Sequence, residues 1–558
     1  MTQAPPLDAP LGELLKHRQK LILMASLMLC MFVSALDNAI VSTATPRILA
    51  DLGGFHLLSW VFTVYMLSST VVVPIVGKLS DMFGRKLFLI GGVIVFVAAS
   101  VGVGAAPSMG FLIGARALQG AGGGTIFSCV FATLGDLFSP AERGKYTGFF
   151  TGTFTLASLS GPTVGGLITD SVGWRWCFYI NLPIGIAAVY FIWRNLPFRK
   201  KGGKLSQIDF LGAALLSGGT VSLLLSLVWA QKEYGWISVE TIGLAVAALV
   251  FIIAFAFQER RHPQAIFPLM LFRNRVFVQA NLIVMVSGAG IFGAIQYLPT
   301  FLQTSLGQSA TNSGLVNTPQ SIGLLATSVI GGQILSRTGK FKLQLIVGAT
   351  LSVVATILLH TLDVGIPLWH IPVFMAVYGL GSGMIGPTMS VISQSAVSHE
   401  FLGVATSGRQ FFMQIGNVLG AAAFGVVLST SYNHSFNNNI TDEAKATLPP
   451  AVIQSFEDPT SALDKRNFPR IEAQVRALPN GEEILQSTKA AQKEGVAVAI
   501  RNIFFGSIFA AIAVLILAIT IPEIPLRRGF GAAAVRAPGA GMPTPNPAPT
   551  VSLSEPGA

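Results

Sequence analysis

Charge is scarce in this chain: Asp, Glu, Lys and Arg make up 11% of its 558 residues, against about 25% in soluble domains. So few charges argue against a soluble enzyme or a soluble binding module. Cysteine is scarcer still, with three residues. Cys30 and Cys129 lie inside apolar runs and Cys177 opens one, without Cys-x-x-Cys or Cys/His spacing, which excludes a zinc site and a disulfide framework. The seven histidines are scattered near loops and span ends. No Gly-x-x-x-x-Gly-Lys-[Ser/Thr] loop is present, so ATP is not the expected energy source. No Ser/His/Asp arrangement can be assembled, so no enzyme activity, metal or cofactor is expected. The net charge of +11 does not point to nucleic acid, because the basic residues fall between apolar runs and form no patch interleaved with aromatics.

Long apolar runs are abundant: hydrophobic residues make up 52% of the chain. Runs of about 20 residues are long enough to span a bilayer. The sequence predicts spans at 21–44, 57–76, 87–105, 110–134, 146–169, 178–195, 208–230, 238–257, 276–305, 313–336, 343–361, 369–396, 403–430 and 496–522, giving an all-α membrane protein of about fourteen transmembrane helices. Lys16, Arg18 and Lys20 precede the first run. That run continues to Ala44, so it reads as a span and not as a signal peptide. With the N-terminus inside, the inner segments hold 22 Lys and Arg and the short outer loops three, Arg47, Arg175 and Lys232. The positive-inside rule then places both termini in the cytoplasm, with the chain in the cytoplasmic (inner) cell membrane.

Two pairs of segments repeat faintly. Gly77–Lys86 after the second span resembles Gly332–Lys340 after the tenth, and Gln119–Gly124 resembles Gly379–Gly386. Setting aside the seventh and eighth spans leaves six plus six, the paired build of many secondary transporters. The expected organisation is a cytoplasmic segment 1–20, a six-helix bundle 21–195, two extra helices with basic linkers 196–275, a second six-helix bundle 276–528, and a Pro/Ala/Gly-rich disordered tail 529–558. The second bundle carries a polar outer insertion, 431–495, which is either a small cap extending the last two spans or a mobile loop.

A few polar residues interrupt the apolar runs. Asp37 lies in the first span. A carboxylate at membrane depth is costly and usually functional, and burial favours the neutral form of such a group, which suits proton or cation coupling; the alternative is a structural hydrogen-bond partner. Arg116 in the fourth span needs an acceptor, and Asp37 is the candidate, as a proton relay or as an ion pair joining helices. Asn38, Gln119, Arg409, Gln410 and Gln414 are candidates for a substrate cavity, although Arg409 can equally snorkel to the inner interface. Gly77 to Lys86 forms a tight basic turn in which Gly84 permits an unusual backbone. Asp81, Arg85 and Asp136 there make either a latch between conformations or a positive-inside anchor. Gly161, Pro162, Gly165 and Gly166 break the fifth span as a hinge, as a contact between halves, or as ordinary tight packing. Asp37 is the one carboxylate deep in the membrane, so neutral or monovalent cationic cargo is expected.

These segments resemble the major facilitator superfamily, in its fourteen-span drug:proton antiporter type. Gly77–Lys86 is similar to the superfamily loop signature. Leu36–Pro46 is similar to the first-span signature of fourteen-span exporters, Arg116–Gly124 to the fourth-span proton-relay signature, and Gly161–Gly166 to the fifth-span antiporter signature. Trp174–Gly185 also resembles this group. Ala157 departs from the antiporter signature, where a glycine is usual, and Arg337 stands in the second-half loop where an acid is expected. The resemblance implies a major facilitator fold of two six-helix bundles plus two helices. It implies export of lipophilic small molecules or drugs by alternating access, driven by the proton gradient, with Asp37 and Arg116 in coupling and Asp81, Arg85 and Asp136 in an inner latch. Partners are the lipid bilayer and a small lipophilic substrate, and a monomer is expected. A lipid or glycolipid exporter of the same fold is the alternative, and a non-transporting membrane sensor is the reading from a different class.

Overall fold

The computed structural model describes residues 11–53, 57–198, 203–232, 234–292, 295–459, 461, 468–524 and 526. The predicted tail from 529 lies outside these, as do 460 and 462–467 within the outer insertion. All regular structure among the described residues is helical. The long helices are α1 (His17–Leu52), α2 (Leu58–Phe83), α3 (Arg85–Gly104), α4 (Met109–Leu137), α5 (Pro140–Ser171), α6 (Asn181–Asn195), α7 (Phe210–Lys232), α8 (Val239–Arg261), α9 (Arg275–Ser287), α10 (Thr318–Thr338), α11 (Lys342–His360), α12 (His370–Ser395), α13 (Leu402–Asn439) and α14 (Gly481–Thr520).

Local chemistry sets several helix ends. The side chains of Ser108, Ser238 and Asn274 accept hydrogen bonds from first-turn N–H groups of α4, α8 and α9, which have no partner inside the helix. Ser139 and Glu142 form a capping box at α5, with Pro140 as its first residue, where a missing N–H costs nothing. Gly84, at φ 100°, turns α2 directly into α3; a side chain would be strained there.

Eleven helices among the described residues are long and apolar enough to cross a membrane. A helical segment also occupies each of the other three predicted spans, and each falls short for a local reason. α5 and α10 are long but rich in Gly, Ser and Thr, because they face each other. A side chain at Gly144 would meet the Gly332 carbonyl at 3.0 Å, and one at Gly148 would meet the Ser328 carbonyl at 2.5 Å. Small residues allow this backbone-to-backbone approach. The ninth predicted span is not one continuous α-helix: α9 gives way to wider turns at Gly288–Phe292 and again at Phe301–Ser305. Gly288 there packs against Met413 and Asn417 of α13.

α1 to α6 pack among themselves, as do α9 to α14. α7 and α8 pair with each other, and α7 also touches α2 and α13. The two groups meet through α5 with α10 and α12, and through α13 with α2 and α4. The residues that meet there lie toward the end of the bundle carrying the Lys- and Arg-rich loops, called the basic end below.

The described part of the 431–495 insertion is a helical cap. α13 and α14 extend beyond the predicted spans, to Asn439 and from Gly481, and Asp442–Thr447, Pro450–Phe456 and Phe468–Arg476 form short helices between them. Tyr432, Phe436, Phe456, Phe468 and Val475 are buried in one apolar cluster that continues into the bundle at Phe301 and Phe504. The Tyr432 hydroxyl donates to the Phe456 carbonyl. On the surface Lys489 pairs with Glu472 at 2.6 Å.

Candidate functional site

Asp37 sits midway along α1, inside the first group of helices and 1% exposed. Three side chains from two other helices bind it. Arg116 of α4 donates from Nη1 to Oδ2 at 2.6 Å. Gln119, one turn further on α4, donates to Oδ1 at 2.8 Å. Asn181, the first residue of α6, donates to the same Oδ1 at 3.0 Å. Gln119 and Asn181 also both donate to the Ser100 hydroxyl of α3, at 2.6 and 3.0 Å. Arg116 is fully buried; its guanidinium lies 4.4 Å from the Tyr65 ring and donates from Nη1 to Gln119 Oε1 at 2.7 Å. A buried ion pair needs further hydrogen bonds; Gln119 and Asn181 supply them on the carboxylate side, while Arg116 Nη2 is buried without a partner among the described residues. Protonating it would leave Arg116 without a counter-ion, so charge state and the packing of α1, α3, α4 and α6 are tied together.

Helix spacing produces this arrangement. Arg116 and Gln119 are three residues apart and so share a face of α4. That face also carries Gly120, Gly123 and Gly124, where a side chain would strike Tyr65, Ser34 or Ser69; the glycines let α4 come close to α1 and α2. Gly161 and Gly165 do the same for α5, packing on Ala39, Ile40 and Thr43 of α1, directly after Asp37. α5 runs unbroken through Pro162, and a side chain at Gly166 would meet open space. This segment therefore packs within one group of helices. The contact of α5 with the other group is made lower down, at Gly144 and Gly148.

A second cluster closes the basic end. Arg85 donates from Nε to Asp136 at 3.0 Å, from Nη1 to Ser80 at 2.6 Å, and from Nη2 to Asp81. Asp81 accepts from the backbone N–H groups of Gly403 and Val404, at 3.2 and 3.1 Å. Those groups belong to the first turn of α13, whose N-terminus attracts negative charge. A carboxylate of the first helix group thus caps a helix of the second. Gly77 and Gly403 make the approach possible: a side chain at Gly403 would lie 2.5 Å from both Asp81 and Arg85, and one at Gly77 would overlap Ser407.

The cavity candidates separate. Asn38 is exposed on α1. Gln119 is fully buried in the Asp37 network, so it does not face a cavity. Gln414 pairs with Thr70 across the two groups. Gln410 is buried on α13, and Arg409 is 6% exposed with its guanidinium 5.5 Å from the Phe131 ring of α4, so Arg409 does not snorkel to an interface. Asn181, Ser100, Tyr65, Gly403 and Ser407 were not singled out by sequence reasoning. Asn181 lies in Trp174–Gly185, which carries the family resemblance, and that is the signal available for it; the others are residue types too common in membrane helices to stand out. Among the described residues no His/Cys/Asp/Glu group is arranged to hold a metal.

The sequence pattern of the Major Facilitator Superfamily matches residues 27–421. The chain is 41% identical over 443 residues to the multidrug transporter protein MdtP of Bacillus subtilis, covering 79% of this chain and 81% of that one. It is 36% identical to multidrug resistance protein 3 of Bacillus subtilis, covering 78% and 84%. Among solved structures, the proton:xylose symporter XylE bound to a bromodeoxyglucose aligns with a TM-score of 0.57 at 14% identity, over 91% of this chain and 96% of that one; at that identity the likeness concerns the fold. The chain belongs to the major facilitator superfamily and is a multi-pass membrane transporter.

Proposed function

We propose that this transporter exports lipophilic small molecules in exchange for protons, with Asp37 as the coupling carboxylate. The observation that carries this is the fully buried pair of Asp37 and Arg116, held by Gln119 and Asn181. Protonation releases Arg116 and loosens contacts among four helices of one group. Deprotonation restores them. A group that changes helix packing with its charge can drive alternating access. The relatives named as multidrug transporters support the direction of transport and the class of cargo.

The basic end faces the cytoplasm in this reading, following the excess of Lys and Arg there, and both termini lie on that side of the cell membrane. The molecule is then closed on the inner side, with Asp81 on the α13 N-terminus as the latch. One proton is energetically sufficient. A charge crossing a potential of about 150 mV gains about 3.5 kcal/mol, equivalent to a gradient of a few hundred-fold for neutral cargo. The functional unit is a monomer.

The cap favours one second reading, export of a lipid, because α13 and α14 extend as a helical unit beyond the predicted spans and offer a polar head group a route beyond the bilayer. Everted vesicles holding a pH-sensitive dye separate the two. In a panel of lipophilic compounds that includes each charge, at least one should provoke proton release in wild type. Silence across the whole panel, with altered lipid extraction from cells lacking the transporter, would replace drug export by lipid export.

A further inference from the structure

Arg409 is a buried cation without an acid. It lies on α13 between the latch at Gly403 and Val404 and the Gln414–Thr70 contact. Seven residues from the start of α13 place it about 10 Å inside the bundle. Its Nε has no hydrogen-bond partner, and among the described residues no carboxylate pairs with it. Its neighbour across the divide is the face of Phe131 on α4. A cation over an aromatic ring regains only part of what burial of an unpaired charge costs.

Its position matters as much as its charge. α13 and α4 belong to different helix groups and meet at the closed basic end. Any opening of that end separates them, and Arg409 is then uncovered on the path by which cargo enters from the inner side. The other deep charges are Asp37 and Arg116, which neutralise each other at 2.6 Å. Among the described residues, all remaining buried charged side chains lie at the basic ends of α2, α3, α4, α5, α7 and α8. The expectation of neutral or monovalent cationic cargo rests on Asp37 as the one deep carboxylate; in the structure it is occupied by Arg116, Gln119 and Asn181 and faces away from solvent.

We infer that Arg409 is a specificity-determining residue that selects amphiphiles bearing an acidic group, a carboxylate, sulfonate or phosphate, over their cationic counterparts. This rests on the export reading for the path, and not on proton coupling. The acid supplies the acceptor that the guanidinium lacks, and the apolar part of the cargo packs where Phe131 now lies. Two sources carry this chemistry: a soluble amphiphilic acid and an anionic lipid.

The test is equilibrium binding to the full chain in phosphatidylcholine nanodiscs, with empty discs subtracted. The probes are pyrenebutanoate, its methyl ester, and the matched pyrenebutyl-trimethylammonium. Wild type should bind the acid about tenfold more tightly than either counterpart, the value of one charge-assisted hydrogen bond. Arg409→Gln should remove that preference, and Arg409→Lys should retain part of it. Thermal unfolding checks that both variants are folded, and the ester comparison in wild type stands without them. Competition by phosphatidylglycerol assigns the site to lipid; its failure to compete assigns it to soluble acids. Tighter binding of the cation by wild type, equal binding of acid and ester, or an unchanged preference in folded Arg409→Gln would overturn the inference. No proton gradient enters this measurement, so its failure leaves coupling through Asp37 standing, and absence of coupling leaves the binding preference standing.

Discussion

Asp37 and Arg116 are legible in the sequence because a carboxylate and a guanidinium inside apolar runs have no cheap explanation. The rest of the network is less legible: Asn181, which donates to Asp37, and Ser100, which accepts from Gln119 and Asn181, look like any small polar residue until the fold brings α3 and α6 against α1. Removing one donor tests the arrangement. Asn181→Ala should slow substrate-driven proton release, because the Asp37 carboxylate loses one of its three side-chain donors; an unchanged rate in a folded variant would show that Asn181 only packs. The latch gives a second test. Gly77→Ala drives a methyl group into Ser407, which should weaken the closed state by about 1–3 kcal/mol. Accessibility of a cysteine placed on the inner face should rise, and Ser407→Gly added to it should restore part of the closure. At the end opposite the basic end, Arg175 and the Trp174 indole hold the Asp51 carboxyl below its ordinary value of 3.8. A lowered value gives stability that is present above the unfolded pKa and is lost as pH falls through the folded one. Solvent screening keeps it small, so Asp51→Asn should lower thermal stability slightly and evenly between pH 5 and 8, and the difference from wild type should vanish under strong acid; a difference that grows in acid would contradict this.

Among the elements, hydropathy located helices well because lipid-facing residues must be apolar. It ranked α5 and α10 lower for the same reason, since their Gly, Ser and Thr residues face each other and not lipid. The breaks after α9 were not legible, because wide turns depend on contacts with α13 and α14. The cap was only half legible: Phe468–Arg476 has helical spacing, but its apolar face is satisfied by Phe456 and Tyr432 from distant positions. Phe456→Ala should cost about 3–5 kcal/mol within the cap. Hydrogen exchange should then rise from 440 to 485 and stay unchanged in α10 to α12; a uniform rise throughout would mean that the cap is not a separate cooperative unit. The segment after α8 behaves as a strap. Gln264 accepts from Lys78 at 3.0 Å, Glu259 binds the N–H groups of Ile266 and Phe267, and Phe267 fills the space left by Gly408. Phe267→Ala should loosen the same inner face that the Gly77→Ala cysteine assay reads, because the strap touches α2 and α13 together; an unchanged reading would confine Phe267 to packing on α13.

For the whole molecule, the family and its helical plan follow from the sequence, while the closed basic end does not. A sequence contains both conformations of an alternating-access protein, and the balance between them rests on contacts such as Asp81 with Gly403 that join distant positions. The central claim is that charge on Asp37 couples proton entry to cargo exit. Proteoliposomes with an imposed pH gradient test it most directly, comparing wild type with Asp37→Asn for gradient-driven accumulation and for gradient-free exchange of the same labelled cargo. The account predicts that the variant keeps exchange and loses accumulation. Accumulation equal to wild type in the variant would contradict it.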